Sequence, residues 1–307
     1  MSRPSTDPAR GITLKILSVL FFTLMAICIK AASARVPPGE TVFFRSVFAL
    51  PVTIIWLAMQ GHLQHAFDTR HPFGHVSRGL VGTAGMALNF TALGLLPLPE
   101  ATALFYTAPL FAVLFAAVIL GERIRIFRIS ALCVGLAGAV VVLLPRMSLS
   151  QLQGPEQMAA FGALAAIAGA FFAGLAQTFT RRLTATEHTG TIVIYFTITS
   201  ACLSLLTIPF GWVMPTLFEA VCLIGAGVFG GVGQILLTQA YRNAPMSVVA
   251  PFDYLSLVFS IIFGYMLFSE LPTLPMLAGS SLIIVSGLFI IWREHKLRTS
   301  KARRNVK

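Results

Sequence analysis

Apolar runs of about 20 residues follow one another along almost the whole chain, with only short gaps between them. A helix of about that length spans the roughly 30 Å hydrocarbon core of a bilayer. None of the gaps is long enough to fold as a separate soluble domain. The sequence therefore predicts an all-α integral membrane protein with ten transmembrane helices, near residues 12–31, 41–59, 77–96, 100–120, 127–144, 158–179, 190–210, 217–240, 246–268 and 274–292.

The composition excludes an ordinary soluble protein. Hydrophobic residues make up 56% of the chain and charged residues 11%, which is more apolar surface than a soluble domain buries. The net charge of +11 is also a feature of nucleic-acid-binding proteins. Here, however, the Lys and Arg residues are gathered into gaps between apolar runs and into the C-terminal tail. That distribution indicates membrane orientation, and we expect no nucleic-acid partner.

The basic residues predict the orientation of the chain. With the N-terminus in the cytoplasm, 18 of the 22 Lys and Arg residues lie on the inner side, as the positive-inside rule requires. Both termini are then cytoplasmic, which agrees with ten spans, and we expect a bacterial inner-membrane protein. The first run also resembles a signal peptide that ends at Ala32-Ser33-Ala34, but so many runs follow that we expect it to be retained. The four basic residues on or near the outer side are Lys30, Arg35, Arg45 and Arg146.

The segment 92–122 has a second copy at 240–270, at a constant offset of 270 − 122 = 148 residues. Each copy is a polar hairpin followed by an apolar run that carries aromatic residues and ends at a Glu. The offset predicts two units of five spans, 11–145 and 157–292, followed by a basic cytoplasmic tail at 293–307. An odd number of spans places the second unit upside down, and such inverted repeats are common in transporters. The matching residues are Ala92 and Ala240, Pro97 and Pro245, Tyr106 and Tyr254, and Glu122 and Glu270.

The sequence contains no motif for ATP binding or catalysis. G-x-x-x-x-G-K-[ST], H-E-x-x-H and G-x-S-x-G do not occur, so we expect neither an enzyme nor a cofactor, and transport would be driven by a gradient. A loop cluster of histidines with Asp68 has spacings that suit zinc, but solvated histidines are the commoner case and we expect no metal. Four cysteines within apolar runs are expected to be inert core residues. The histidines are His62, His65, His71 and His75, and the cysteines are Cys28, Cys133, Cys202 and Cys222.

Asp253 is the most informative single residue, because a carboxylate within the bilayer costs a few kcal/mol unless it is paired or hydrated. Its counterpart in the first copy is Phe105, so the repeat does not require an acid there. Three roles stay open: Asp253 carries a proton, receives a cationic substrate group, or pairs with Arg45 or Lys30.

Two tyrosines occupy equivalent places in the two units. Tyr106 and Tyr254 are predicted to straddle the midplane, where they would clamp a planar substrate, act as outer and inner gates, or fill the core. Pro109 and Pro251 interrupt the same two helices and free backbone carbonyls. Arg45 would either snorkel to the headgroups, the default, or point inward to hold an anionic group. The candidate substrate pathway is Arg45, Asn89, Tyr106, Gln177, Gln234, Thr238, Asp253 and Tyr254.

Three motifs carry a family resemblance: Phe43-Phe44-Arg45 in span two, Leu120-Gly121-Glu122 in the first copy, and Phe268-Ser269-Glu270 in the second. Together with the ten spans, they make the chain similar to EamA-type permeases of the drug/metabolite transporter superfamily, from about residue 11 to 292. The second copy departs from the pattern in having Ser-Glu in place of Gly-Glu. The runs 75–79 and 250–254 resemble those of bacterial permeases for cofactor-type metabolites, including riboflavin and S-adenosylmethionine importers.

The resemblance implies a secondary-active carrier of a small organic metabolite in a lipid bilayer. Aromatic residues near the predicted pathway and a lone Asp253 favour a planar, weakly charged substrate, with riboflavin first. S-adenosylmethionine uptake and the export of an amino acid or amine are the alternatives within transport. An accessory membrane protein that transports nothing is the alternative from another class. Oligomeric state stays open.

Overall fold

The computed structural model describes residues 8–61, 63–120, 126–144, 155–183, 186–243 and 249–304. Within these ranges the chain is almost entirely helical and contains no strand. Short 3₁₀ turns occupy Leu63–His65, Ile208–Phe210 and Ala250–Tyr254. The α-helices are α1 (Pro8–Ala32), α2 (Pro38–Met59), α3 (Pro72–Leu95), α4 (Leu98–Phe105), α5 (Ala108–Leu120), α6 (Ile126–Leu143), α7 (Pro155–Leu183), α8 (Thr189–Leu205), α9 (Leu217–Asn243), α10 (Leu255–Phe268) and α11 (Leu274–Arg304).

Helices are present in all ten apolar runs that the sequence predicted. Four of them are long and apolar enough on their own to cross a membrane, over residues 9–32, 38–59, 157–180 and 217–237. Shorter apolar helices cover 129–143, 190–205, 252–268 and 274–289. The fourth run divides into α4 and α5, so neither part reaches the length of a full span. These helices define a multi-pass membrane protein.

The break between α4 and α5 recurs in the second copy. A two-residue turn at Tyr106 and Thr107 separates the two helices, and Pro109 has no amide hydrogen with which to continue α4. In the second copy, a 3₁₀ turn ends at Tyr254 before α10 begins. Adding 148 to Tyr106 gives Tyr254, and adding 148 to the last residue of α5 gives the last residue of α10. The two copies therefore share the position of the break as well as the sequence pattern.

Close contacts between glycines bring several helices together. A Cβ on Gly138 of α6 would lie 2.6 Å from the carbonyl oxygen of Gly279 on α11, and one on Gly279 would lie 2.5 Å from that of Gly138. In lipid, such close packing replaces the hydrophobic driving force between helices. The GxxxG spacing of α9 packs within the chain, with Gly227 against Phe48 of α2. At these positions the glycines therefore allow the helices to pack closely within the bundle.

Polar contacts tie the helices together at both ends of the bundle. We call the end at which α1 begins the proximal end, and the end at which α1 finishes the distal end. At the distal end, Glu40 of α2 accepts a hydrogen bond from the Val213 amide just before α9, at 3.0 Å. At the proximal end, Glu187 accepts one from the Arg70 amide just before α3, at 2.9 Å. The last helix, α11, continues to Arg304 through most of the segment expected to be a tail.

The cysteines do not all lie in the core. Cys28 and Cys222 are partly buried, but Cys133 and Cys202 are exposed on the outside of the bundle. The prediction of four core cysteines was therefore wrong for two of them. The reason is that the outer surface of a membrane protein is itself apolar, so an apolar run does not separate core positions from lipid-facing ones.

Candidate substrate path

A small cavity lies where α2, α8 and α9 meet. Its walls come from both halves of the chain, because α2 belongs to the first predicted unit and α8 and α9 to the second. The cavity has room for about one water molecule, so the helices must separate before a metabolite can enter. The lining residues are Arg45, Ala49, Thr53, Val193, Phe196, Thr197, Gly230, Gly231 and Gln234.

Arg45 lines this cavity, and its side chain does not extend toward the headgroups. It is only 6% exposed, and its Nε has no hydrogen-bond partner. Gly230 of α9 leaves the room for it, since a Cβ there would lie 3.1 Å from that Nε. Among the described residues, Arg45 forms no salt bridge. The default prediction that Arg45 snorkels to the headgroups was wrong. The Arg45 side chain points inward because Gly230 on the facing helix α9 leaves space for it, and the residues next to Arg45 in the sequence do not show this space.

Arg78 of α3 is a second, half-buried guanidinium beside the same cavity, and the sequence did not mark it as a site residue. Its Cζ lies 3.6 Å from the ring centroid of Phe196, which lines the cavity, and its Nε donates to Thr180 Oγ1 at 3.1 Å. Nη1 is buried without a partner. The charge of Arg45 is near enough to act on Arg78 electrostatically. Arg78 lies about two turns after the start of α3, within the helix. The count of basic residues on each side of the membrane had instead placed it on the inner side.

The two arginines carry an electrostatic cost. On scales of membrane insertion, a cation at the centre of a span costs about 2.5–3.5 kcal/mol. Such residues usually pair with an acid or face water. In the described part of the chain, neither guanidinium has a carboxylate within salt-bridge distance. The site is therefore positively charged and lacks an internal counter-ion.

Asp253 lies at the proximal end and pairs with Lys15 of α1. The Asp253 Oδ1 to Lys15 Nζ distance is 2.6 Å; the side chains are 45% and 2% exposed, respectively. The expected partners, Arg45 or Lys30, were wrong. Asp253 lies in the 3₁₀ turn that precedes α10, and Lys15 lies about two turns from the start of α1, so both lie toward the same end of the bundle. Together with Lys15, Asp253 forms what we call the proximal salt bridge.

Lys30 of α1 pairs instead with Glu270, directly after α10, at 2.9 Å. The Lys30 ammonium also donates to the Leu96 carbonyl oxygen at 2.5 Å. Glu270 Oε2 accepts a hydrogen bond from the Leu98 amide at the start of α4, at 2.7 Å. This distal salt bridge therefore joins α1, the α3–α4 junction and the end of α10.

The two candidate tyrosines are in direct contact. Their ring centroids lie 5.1 Å apart, and the Tyr106 hydroxyl donates to the Asp253 carbonyl oxygen at 2.5 Å and also contacts the Ser256 hydroxyl. Tyr254 packs its hydroxyl against Gly287 of α11. The rings thus form one aromatic contact between the two copies, not two separated gates.

The remaining candidates are dispersed. Gln234 lies on the cavity wall with Arg45. Asn89 is partly buried on α3, on the side that packs against Gly169 of α7, and Gln177 is exposed on α7. The side chain of Thr238 lies outside the described ones, as does Glu122. The structure therefore places Arg45 and Gln234 together at the cavity. Tyr106 and Tyr254 lie together at a second place, beside Asp253 of the proximal salt bridge.

The loop histidines contribute one buried ring. His75 stacks on Tyr195 at 4.6 Å between centroids, with its Nε2 3.8 Å from Glu187 Oε2. Burial raises the pKa of Glu187, but hydrogen bonds from the Arg70 amide and the Thr69 hydroxyl outweigh it, so the pKa lies below its usual range. The part of the chain that the structure describes holds no group of three metal-ligating side chains. His62 and the side chain of His65 lie outside that part.

Comparison with known proteins shows the family. The EamA-like transporter family matches the chain twice, over residues 9–144 and 160–292. The chain therefore belongs to this family of the drug/metabolite transporter superfamily. Two matches in one chain agree with a unit used twice, and the family indicates a transporter rather than an enzyme.

The relatives transport different compounds in different directions. The chain is 34% identical to the pseudopaline exporter CntI of Pseudomonas aeruginosa, covering 90% of this chain and 94% of that protein. It is 31% identical to the S-adenosylmethionine uptake transporter of Rickettsia prowazekii, covering 95% of each. It is 26% identical to the riboflavin transporter of Rhizobium johnstonii, covering 94% of each. A solved crystal structure, 24% identical, matches the fold with a TM-score of 0.65 over 94% of this chain and 99% of that one.

Proposed function

We propose that the protein is a secondary-active carrier of a small organic metabolite that works by alternating access between two inverted five-helix units. The units are residues 11–145 and 157–292, in the bacterial inner membrane, with both termini cytoplasmic. The observation that carries the proposal is the cavity between α2, α8 and α9, which has walls from both units and a buried guanidinium. Transporters with inverted repeats hold their substrate at this interface, near the midplane.

The two salt bridges fit such a cycle. The proximal pair, Lys15 and Asp253, and the distal pair, Lys30 and Glu270, each join the first unit to the second. Both are formed here, and the cavity between the units is too small for a metabolite. In the proposed cycle, the units rock so that one end separates at a time, and the salt bridge at that end breaks while the other holds.

The substrate is proposed from the contacts around the path. Riboflavin, the first hypothesis, is supported by the aromatic contact between Tyr106 and Tyr254 and by a relative named for that compound. S-adenosylmethionine is supported by relatives named for its uptake. Export of an amine is supported less, because Asp253, which would receive the ammonium group, already faces Lys15 at 2.6 Å.

The accessory-protein alternative has less support. It expects Tyr106, Tyr254 and Asp253 to face lipid and expects no water-accessible cavity between the units. Tyr106 instead packs on Tyr254 and donates a hydrogen bond to the Asp253 carbonyl oxygen, and a small cavity that Arg45 and Gln234 help to line lies between α2 and the helices of the second unit.

Uptake into cells that lack the relevant biosynthesis tests the proposal. Labelled riboflavin, S-adenosylmethionine and an amino acid are each offered to cells with and without the protein, and efflux is followed from preloaded cells. We expect protein-dependent movement of one compound that its unlabelled form competes away, and loss of that movement in Asp253→Asn. Movement of none of them by protein correctly inserted in the membrane, together with no water access to the cavity, contradicts the transporter proposal.

A further inference from the structure

We propose that Arg45 and Arg78 form the recognition site for an anionic group, so that the transported metabolite carries a carboxylate or a phosphate. This inference rests on the proposed function, since it assigns the chemistry of the same path. It departs from the preference for a weakly charged substrate. That preference came from a lone acid, and the structure neutralises this acid with Lys15.

The first step is the absence of an internal counter-ion. Arg45 is buried, and Arg45 Nε and Arg78 Nη1 are buried donors without a hydrogen-bond partner. Neither guanidinium forms a salt bridge to any acid in the described residues. Acids elsewhere in the described part of the bundle have other partners: Asp253 pairs with Lys15 and Glu270 with Lys30, while Glu40 accepts a hydrogen bond from the Val213 amide and Glu219 from the Thr216 amide.

The second step is convergence on one space. Arg45 lines the cavity directly. Arg78 reaches the same wall through Phe196, whose ring it covers at 3.6 Å, and the two charges act on each other. Two like charges held together without an acid between them are costly unless an anion joins them. The arginines come from α2 and α3 of the first unit, and Phe196 and most of the other lining residues come from α8 and α9 of the second, so an anion bound there would contact both units.

The third step is the geometry of the donors. A guanidinium presents a planar fork of N–H groups that matches a carboxylate or phosphate in two parallel hydrogen bonds. Arg78 is held by Thr180 through Nε, and among the described residues its buried Nη1 has no hydrogen-bond partner, so Nη1 is left for a ligand. Gln234 and Thr197 on the same wall add uncharged polar groups beside the forks. The site therefore suits one anionic group attached to a neutral or planar body, with Phe196 available to stack.

Charge-selective thiol labelling tests the inference without a known substrate. Ala49→Cys, one turn from Arg45 on the cavity wall, is placed in the full-length protein with its four native cysteines replaced by alanine. The labelling rates of an anionic and a cationic methanethiosulfonate reagent are compared and divided by the same ratio at Thr186→Cys, an exposed position. We expect the normalised ratio to favour the anion at least about tenfold, the scale of local ion concentration in charged clefts.

Substitution of the arginines identifies the source of the effect. Arg45→Gln and Arg78→Gln should each lower the ratio by about threefold or more. Arg45→Lys should keep the ratio because it keeps the charge, and Arg182→Gln, at an exposed position on α7, should leave it unchanged. Benzoate and phenyl phosphate should slow labelling of Ala49→Cys while benzamide does not, and the stronger of the two names the anionic group.

The outcomes separate this inference from the proposed function. If Ala49→Cys reacts with both reagents at the ratio of the exposed position, the path exists but the anion site is wrong. If the ratio favours the anion equally in both Arg→Gln variants, the arginines are not its source and the inference is also overturned. If neither reagent reacts in membranes that contain correctly inserted protein, there is no aqueous path, and the proposed function fails with the inference.

Discussion

Two pairs of cations lie within the helices of this protein, and their surroundings are opposite. Lys15 and Lys30 are both on α1, and each faces a carboxylate from the second half of the chain at 2.6 and 2.9 Å. Arg45 and Arg78, on α2 and α3, face no carboxylate in the described residues and leave buried donors unpaired. A paired charge can hold two helices together, whereas an unpaired one only destabilises the empty protein. The lysines therefore join helices of the two halves, and the arginines are the residues that we propose for binding an anion.

The largest effect of removing a paired lysine is expected at the distal salt bridge. Lys30→Ala leaves Glu270 without its cation and removes the hydrogen bond to the Leu96 carbonyl oxygen. Removing one partner of a buried pair strands the other, so we expect the free energy of unfolding to fall by about 3 kcal/mol. Reversible unfolding in mixed detergent micelles measures the change. Arg182→Ala is the exposed control, and a loss below about 1 kcal/mol for Lys30→Ala would contradict the structural role.

The proximal salt bridge should respond in the same direction with a smaller effect. Lys15→Met removes the charge that faces the Asp253 carboxylate, but the Asp253 side chain that is left is 45% exposed, so water partly compensates. We expect a loss of about 1–2 kcal/mol in the same unfolding assay. The double variant Lys15→Met with Asp253→Asn should recover most of it, because no buried charge is left unpaired. A double variant as unstable as Lys15→Met alone would place the effect outside the pair.

The aromatic contact should matter less than either salt bridge. Tyr106→Phe keeps the ring against Tyr254 and removes only the hydroxyl that bonds the Asp253 carbonyl oxygen and Ser256. The expected loss is about 1 kcal/mol, the net value of a hydrogen bond. Tyr254→Phe is the matched control, since its hydroxyl packs against Gly287. Equal losses in the two variants would show that packing, and not the hydrogen bond to Asp253, determines the stability.

The smallest expected effect is a dependence on pH at the proximal loops. Hydrogen bonds from Arg70 and Thr69 hold the pKa of Glu187 below its usual range, so its stabilisation is present above the unfolded pKa and is lost as pH falls through the folded one. Wild type should therefore lose more stability than Glu187→Gln as the pH is lowered from about 6 to about 4. Unfolding curves at both pH values measure the difference. Parallel losses in the two proteins would remove Glu187 as the cause.

Much of the fold could be predicted because its signals are local or periodic. The apolar runs gave the positions of the helices, and the offset of 148 matched the break at Tyr106 to the end of the 3₁₀ turn at Tyr254. The partners of the charged residues could not be predicted, because they depend on which helices meet. Asp253 has Phe105 as its repeat counterpart, so the symmetry gave no hint of Lys15.

The candidate site was predicted only in part for the same reason. Arg45 was recognised as a possible anion ligand, but its inward direction depends on the space beside Gly230 on a helix 185 positions away along the chain (230 − 45 = 185). Arg78 was counted as a charge at the inner membrane surface because it is the second residue of the predicted span 77–96, whereas α3 begins earlier, at Pro72, and so places Arg78 further inside the helix. The two arginines lie near the same cavity only because of tertiary packing, and a single sequence does not show which helices pack together.

The unfolding free energy of Arg45→Gln in the absence of any ligand tests the central claim most directly. An unpaired arginine that only binds an anion does not stabilise the protein when no anion is bound. We therefore predict that the free energy of unfolding of Arg45→Gln equals or exceeds that of wild type, in the same micelles in which Lys30→Ala is destabilised. A loss in Arg45→Gln as large as that in Lys30→Ala would mean that Arg45 also serves the fold, and it would contradict the division between paired lysines and unpaired arginines.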